Sequence, residues 1–216
     1  MLTFVFTKLL QGFLTTLEIF SLTLVFALPL GLLVAFGSMS KFKPLKFLMR
    51  GIVWVIRGTP LMLQILVVCY GPGLIGLPPM RSPMVAVVIA FVINYACYFS
   101  EIYRGGIESV SKGQYEAGQV LGMSKTQIFF KIVLMQVIRR ILAPMSNEVI
   151  TLVKDTSLAN TIMITEIIKA SKDLASGYGL ELLPILIGAG AFYLIFVGIL
   201  TLLFGYIEKK LSYYKV

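Results

Sequence analysis

The sequence predicts an all-α integral membrane protein, and three observations carry that assignment: an apolar composition, a low charge content, and the placement of the few charges. Of 216 residues, 58% are hydrophobic and 13% are charged, and the mean hydropathy is +0.91. A soluble domain is nearer half apolar and about a quarter charged. The apolar residues fall in runs near the roughly 20 residues that a ~30 Å hydrocarbon core requires. Lys and Arg gather in the short stretches between those runs.

Five transmembrane helices follow in order. Residues 1–16 read as a short amphipathic lead-in carrying Thr3, Thr7, Lys8 and Gln11. With only Lys8 ahead of a long apolar run and Glu18 soon after, no cleavable signal peptide is expected. The first span is 14–36, with Pro29 and Gly31 expected to bend it. A basic loop, 38–50, leads to a second span at 51–70 and a Gly/Pro-rich turn at 71–83. The third span is 84–103 and the fourth is 132–153. A polar segment, 154–178, precedes the fifth span at 182–207. One membrane domain covers 1–216, with a polar excursion at about 105–131.

Charge gives the orientation. With five spans, the 38–50 loop, the 104–140 region and the tail share a side, where they carry 13 Lys and Arg residues, Lys215 among them. The opposite side carries five: Lys8, Arg81, Lys154, Lys169 and Lys172. The positive-inside rule places the N-terminus outside and the C-terminus in the cytoplasm. This distribution accounts for the net charge of +9 better than a phosphate-tracking patch does, so no nucleic-acid partner is expected.

Several chemistries are excluded. Histidine is absent, which removes imidazole metal sites and Ser-His or Cys-His catalysis. Cys69 and Cys97 both sit in apolar runs, so neither a disulfide framework nor a metal site is indicated. No Gly-rich phosphate loop is present, no resident cofactor is expected, and no catalytic residues are assigned.

The polar excursion carries the first motif. Residues 114–121 contain no Pro and suit a short helix; Gly122 suits the left-handed conformation that ends one. Ser124 stands three residues before Gln127, a capping-box spacing that starts a second helix. The expected product is a helix-turn-helix knuckle, though an amphipathic loop fits the same composition.

Three further constellations lie in or beside the spans. Arg57-Gly58-Thr59-Pro60-Leu61 interrupts the second span, since Pro60 removes a backbone donor. Broken helices persist in membranes only where the freed backbone meets protein or a wet cavity, so this stretch suits either a lining or pivot element or a plain kink with a snorkelling arginine. Asn94, Tyr98 and Glu101 fall at i, i+4 and i+7, one helical face. They suit substrate contact, or a helix–helix hydrogen bond for Asn94 and interfacial positions for the other two. Glu148 and Asp155 are also i and i+7, with Lys154, Thr156 and Ser157 beside them. That set fits both ends of a zwitterion, or a Lys154–Asp155 pair with a helix cap.

The residues Glu116-Ala117-Gly118, then Gly122, then Ile132 and Leu134 resemble the EAA loop of ABC importer membrane subunits. Gly118 stands where that pattern has a second Ala, and Met135 where it has Pro. Arg57 to Leu61, the stretch 101–107 (Glu-Ile-Tyr-Arg-Gly-Gly-Ile) and Lys154-Asp155-Thr156-Ser157-Leu158 resemble the polar amino acid permeases in particular, the histidine, arginine, lysine, glutamine and glutamate type. The likeness spans nearly the whole chain.

This resemblance implies a type I ABC importer permease fold in a bacterial or archaeal cytoplasmic membrane. It implies a separate ATPase subunit that binds ATP-Mg, an extracytoplasmic amino-acid-binding protein, and a second permease copy or paralogue. Glu116, Ala117, Gly118 and Gly122 would couple to the ATPase; Arg57, Gly58, Thr59 and Pro60 would line or hinge the path. Asn94, Tyr98, Glu101, Glu148, Asp155 and Ser157 would contact substrate. The acidic candidates favour a cationic amino acid, against which stand Lys154 and Arg57. A secondary transporter or channel would usually show an internal repeat, and none is evident. A membrane-embedded enzyme is disfavoured by the missing His and the missing Gly-x-Ser-x-Gly.

Overall fold

The computed structural model describes residues 1–78, 80 and 82–211, and every regular element among them is helical. Arg81 and Lys215, counted above for orientation, lie outside the described residues.

Helix α1 runs unbroken over Leu2–Ser38, through Pro29. The lead-in expected at 1–16 is therefore not a separate element, because nothing between Leu2 and Thr16 breaks a helix. At ~1.5 Å per residue, 37 residues outreach a ~30 Å hydrocarbon core. Its buried face (Gly12, Thr16, Thr23, Ala27, Gly31, Ala35) is built of small residues at helical spacing. Such residues let helix backbones approach closely where lipid supplies no hydrophobic drive. Thr16 and Thr23 donate their hydroxyls to Gly12 and Ile19 carbonyls, so these buried polar groups are satisfied within α1.

Against this face packs α4, Pro83–Glu108, started by Ser82, whose side chain accepts from the Val85 amide. α4 is the central helix: 56% of its most apolar window is buried, against 33% for α1 and 11% for α9, Leu182–Leu211. Phe91, Tyr95 and Phe99 of α4 join Ile19, Ala27, Ile65, Leu152 and Val153 in the main core.

The apolar run expected as a second span at 51–70 is broken at Gly58-Thr59-Pro60, inside the stretch where the sequence places an interruption. α2, Lys43–Arg57, and α3, Leu61–Leu74, meet at 104° across Gly58-Thr59-Pro60. Pro60 has no amide hydrogen to continue the ladder and takes an extended conformation. The polar segment 154–178 also turns out to be structured. α7, Leu134–Asp155, continues into a 3₁₀ turn, Thr156–Ile162, and then α8, Ile167–Tyr178. Glu166 caps α8, accepting from the amides of Ile168 and Lys169 at 2.8 Å each.

Among the described residues three helices, α1, α4 and α9, are long and apolar enough to cross a membrane, and the bent α2–α3 pair would make a fourth. α7 is long enough at 22 residues, yet it carries Arg139, Arg140, Glu148, Lys154 and Asp155. Hydropathy alone therefore does not make it a fifth.

Between α4 and α7 the chain forms α5, Lys112–Val120, and α6, Lys125–Ile128, which passes through a π-helical turn, Phe129–Val133, into α7. α5 ends in a Schellman motif: Met123 N–H reaches the Gly118 carbonyl at 3.0 Å and Gly122 N–H the Gln119 carbonyl at 2.9 Å. Gly122 has φ +70, a value that disfavours side chains with a Cβ. Ser124 and Gln127 form a reciprocal capping box. Ile128, Val110, Val133 and Val137 anchor this knuckle to the bundle. Gly118 lies so close that a Cβ there would meet Ile128 Cγ1 at 2.7 Å.

Candidate functional site

Three elements converge on a cavity of about 520 Å³. α4 contributes Asn94, Tyr95 and Tyr98; α7 contributes Glu148, Thr151 and Asp155, one face at spacings of three and four. The α2–α3 break contributes Arg57, Gly58, Thr59, Pro60 and Leu61. The interruption that removes a span's hydrogen bonds thus faces a cavity, as an irregular backbone at membrane depth requires.

One amide repairs the break. Gln64 Nε2 donates to the Ile56 carbonyl at 2.8 Å and to Thr59 Oγ1 at 2.9 Å, with the Thr59 carbonyl at 3.2 Å. Gln64 Oε1 accepts from Asn94 Nδ2 at 3.0 Å, which ties the break to the central helix. Across the cavity Tyr95 donates its hydroxyl to Asp155 Oδ2 at 2.7 Å. Glu148 makes no hydrogen bond among the described residues. Arg57 lies over the Tyr98 ring, 5.0 Å from its centroid, and stands 3.7 Å from Glu101.

Asn94, Tyr98, Glu148 and Asp155 thus share the cavity with Arg57, Gly58, Thr59 and Pro60. Glu101 does not line it. It lines an adjoining cavity, and both its oxygens are taken by Arg104, at 3.0 and 2.6 Å. Ser157 lines neither; on the 3₁₀ turn it donates to the Lys154 carbonyl at 2.8 Å. Residues 116–118 and 122 lie on the knuckle, apart from this cavity.

Sequence reasoning missed Gln64, Tyr95 and Thr151. Gln64 had a signal, a lone amide in an apolar run, where polar groups are costly unless partnered. Tyr95 sits off the Asn94–Tyr98–Glu101 face, and only packing against α7 brings it to Asp155. Among the described residues no cluster of His, Cys, Asp or Glu is arranged to hold a metal ion.

Comparison with known proteins agrees with this architecture. Residues 27–213 match the family described as binding-protein-dependent transport system inner membrane component. An L-cystine transport system permease protein of Bacillus subtilis is 36% identical, over 94% of this chain and 86% of the relative. An arginine transport system permease protein of the same organism is 32% identical, over 94% and 92%. A nopaline transport system permease protein of Agrobacterium fabrum is 38% identical, over 88% and 81%. A crystal structure of an amino acid ABC transporter with histidines superposes with a TM-score of 0.87 at 27% identity, covering 97% of this chain and 96% of that one. The fold, the cavity at the helix break and these likenesses lead to one conclusion: the chain belongs to the inner-membrane components of binding-protein-dependent transport systems, the permease subunits of ABC transporters.

Proposed function

We propose that this chain is the membrane subunit of an ATP-driven importer for a cationic amino acid, and that the cavity between α4, α7 and the α2–α3 break is its substrate site. The observation that carries the reading is the charge of that cavity: two carboxylates, Glu148 and Asp155, against one guanidinium, Arg57. Asp155 is oriented by Tyr95, and Glu148 has no hydrogen bond among the described residues, so it remains available to an ammonium or guanidinium. Relatives named for arginine, octopine and nopaline support a guanidino substrate; those named for cystine and glutamine mark the range of the family.

In this reading α7 is the fifth span of a single permease domain, its charges facing the path, with the N-terminus outside and the C-terminus cytoplasmic. The knuckle couples to a separate ATPase that holds ATP-Mg. At its tip Val120 is 88% and Leu121 76% exposed, an apolar pair suited to a partner's groove. Glu116, Ala117 and Gly118 lie on the helix that presents this tip. An extracytoplasmic binding protein delivers substrate, and a second permease copy or paralogue completes the path.

ATP-driven uptake in vesicles tests both parts. Glu148→Gln and Asp155→Asn are expected to cut arginine uptake more than glutamine uptake, because each removes a charge partner. Equal uptake of both amino acids by wild type and variants would refute the cationic site. Gly122→Val is expected to weaken ATPase association while the bundle stays folded; full association would refute the coupling role.

A further inference from the structure

Beside the polar cavity lies a second one, of about 440 Å³, walled by Arg50, Trp54, Arg57, Tyr98, Glu101 and Arg104. Three guanidiniums face one carboxylate, and that carboxylate is already committed. Arg104 binds both Glu101 oxygens and reaches Glu108 Oε2 at 2.6 Å. Arg57 stands at 3.7 Å from Glu101, and Arg50 makes no hydrogen bond or ion pair among the described residues. Among these residues Arg50 is therefore unpaired and Arg57 has only the longer ion pair, and both face a cavity large enough for a small molecule. Such a site wants an anion, and guanidinium is the side chain best suited to a planar carboxylate.

The two cavities are adjacent, sharing Arg57, Gly58 and Tyr98. Along α4, Tyr98 to Arg104 is about 9 Å at ~1.5 Å per residue, directed towards the knuckle. The cation–π contact of Arg57 on Tyr98 stands at the shared wall. Motion of that one side chain changes which cavity its charge serves.

We infer that this arginine-walled cavity is a discharge-side site for the α-carboxylate of the transported amino acid, with Arg57 passing the carboxylate from one cavity to the other. The inference rests on the reading of the polar cavity as substrate site and of the knuckle as the ATPase side. It divides recognition: Glu148 and Asp155 read the side-chain cation, and Arg50 and Arg57 hold the carboxylate that every amino acid carries. The apolar faces of Trp54 and Tyr98 receive the rest of the molecule.

The test uses Trp54, the chain's only tryptophan, which forms part of the cavity wall. The full chain in uncharged detergent micelles is titrated with L-arginine, L-argininamide, L-glutamine, L-glutaminamide and inorganic phosphate while Trp54 emission is followed. The free acids are expected to shift the emission saturably, and the amides to act about tenfold more weakly, the loss of one charge-assisted contact. Arg50→Gln, on an exposed helix position, is expected to weaken the acids by a similar factor, with Arg50→Lys between it and wild type. Equal responses to acid and amide, or an Arg50→Gln response like wild type, would overturn the inference. Saturation by phosphate, or by added phosphatidylglycerol, below the amino acid concentrations would also overturn it, assigning the cavity to a phosphate or lipid headgroup. Asp155→Asn separates the two proposals. If uptake ignores that substitution while the carboxylate-dependent emission shift persists, the polar cavity fails as substrate site and the handover by Arg57 falls with it, while carboxylate binding in the arginine-walled cavity stands.

Discussion

The hydroxyl of Tyr95 lies 2.7 Å from Asp155 Oδ2 and donates to it, joining the central helix to the last turn of α7. Tyr95 is 1% exposed while Asp155 is half-buried at the cavity wall, so the donor is held by packing and the charge-assisted bond aims the carboxylate. It fixes the direction in which Asp155 faces the cavity.

Tyr95→Phe keeps the ring packed between Phe91 and Phe99 and deletes only the donor. Hydrogen bonds to charged groups contribute about 1.5–3 kcal/mol. The variant is expected to fold, to lose thermal stability by an amount in that range, and to bind substrate about tenfold more weakly as Asp155 loses its orientation. Uptake affinity and melting temperature unchanged from wild type would show that the bond orients nothing.

Gln64 and Asn94 are expected to behave as one unit. Gln64→Leu strands the Asn94 amide, at about 1–3 kcal/mol for a buried group left unpaired, while the Ile56 carbonyl keeps the Thr59 hydroxyl at 3.3 Å. Asn94→Leu strands only Gln64 Oε1. In a double-mutant cycle the paired replacement should cost less than the sum of the singles, read from thermal unfolding in detergent. Strict additivity would mean that the two amides act separately.

Gly118→Ala is a change that the family pattern at this position would tolerate, and the structure predicts otherwise. The new methyl would lie 2.7 Å from Ile128 Cγ1, inside any real carbon contact. Overpacking of this kind costs about 1–3 kcal/mol. Combining it with Ile128→Ala should recover ATPase association that the single variant loses. A Gly118→Ala knuckle that associates like wild type would show that Ile128 moves aside freely.

Glu166 supplies a pH signature outside the spans. Its carboxyl is fully buried, and burial pushes its pKa above the ordinary carboxylate range, although the amides of Ile168 and Lys169 oppose the shift. The folded chain therefore holds this proton where the unfolded chain has lost it. Stability should fall as pH rises from the ordinary carboxyl range through the raised value, and level off above it. Glu166→Gln keeps an acceptor for the α8 cap and should flatten that slope. An equally steep slope in the variant would place the titration elsewhere.

Much of this protein is written locally, and the sequence by itself determined those parts. Run length and apolarity gave the helices α1, α4 and α9, because a helix satisfies its backbone within itself wherever lipid offers no partner. Pro60 determined that the second apolar run breaks, since its ring removes a donor whatever surrounds it. Gly122 and the Ser124–Gln127 pair determined the turn of the knuckle through bonds spanning five residues or fewer. Only the tertiary structure decided the angle of the break, because 104° depends on Gln64 reaching back to Ile56 and across to Asn94. It also decided which polar groups share a cavity. Asn94, Tyr98 and Glu101 lie on one helical face, yet Glu101 is drawn away by Arg104, while Tyr95, off that face, meets Asp155. Periodicity fixes which side of its own helix a residue occupies; which neighbour waits there depends on how two helices rotate and pack, and small residues such as Ala27, Gly31 and Ala35 set that rotation through contacts distant in the chain.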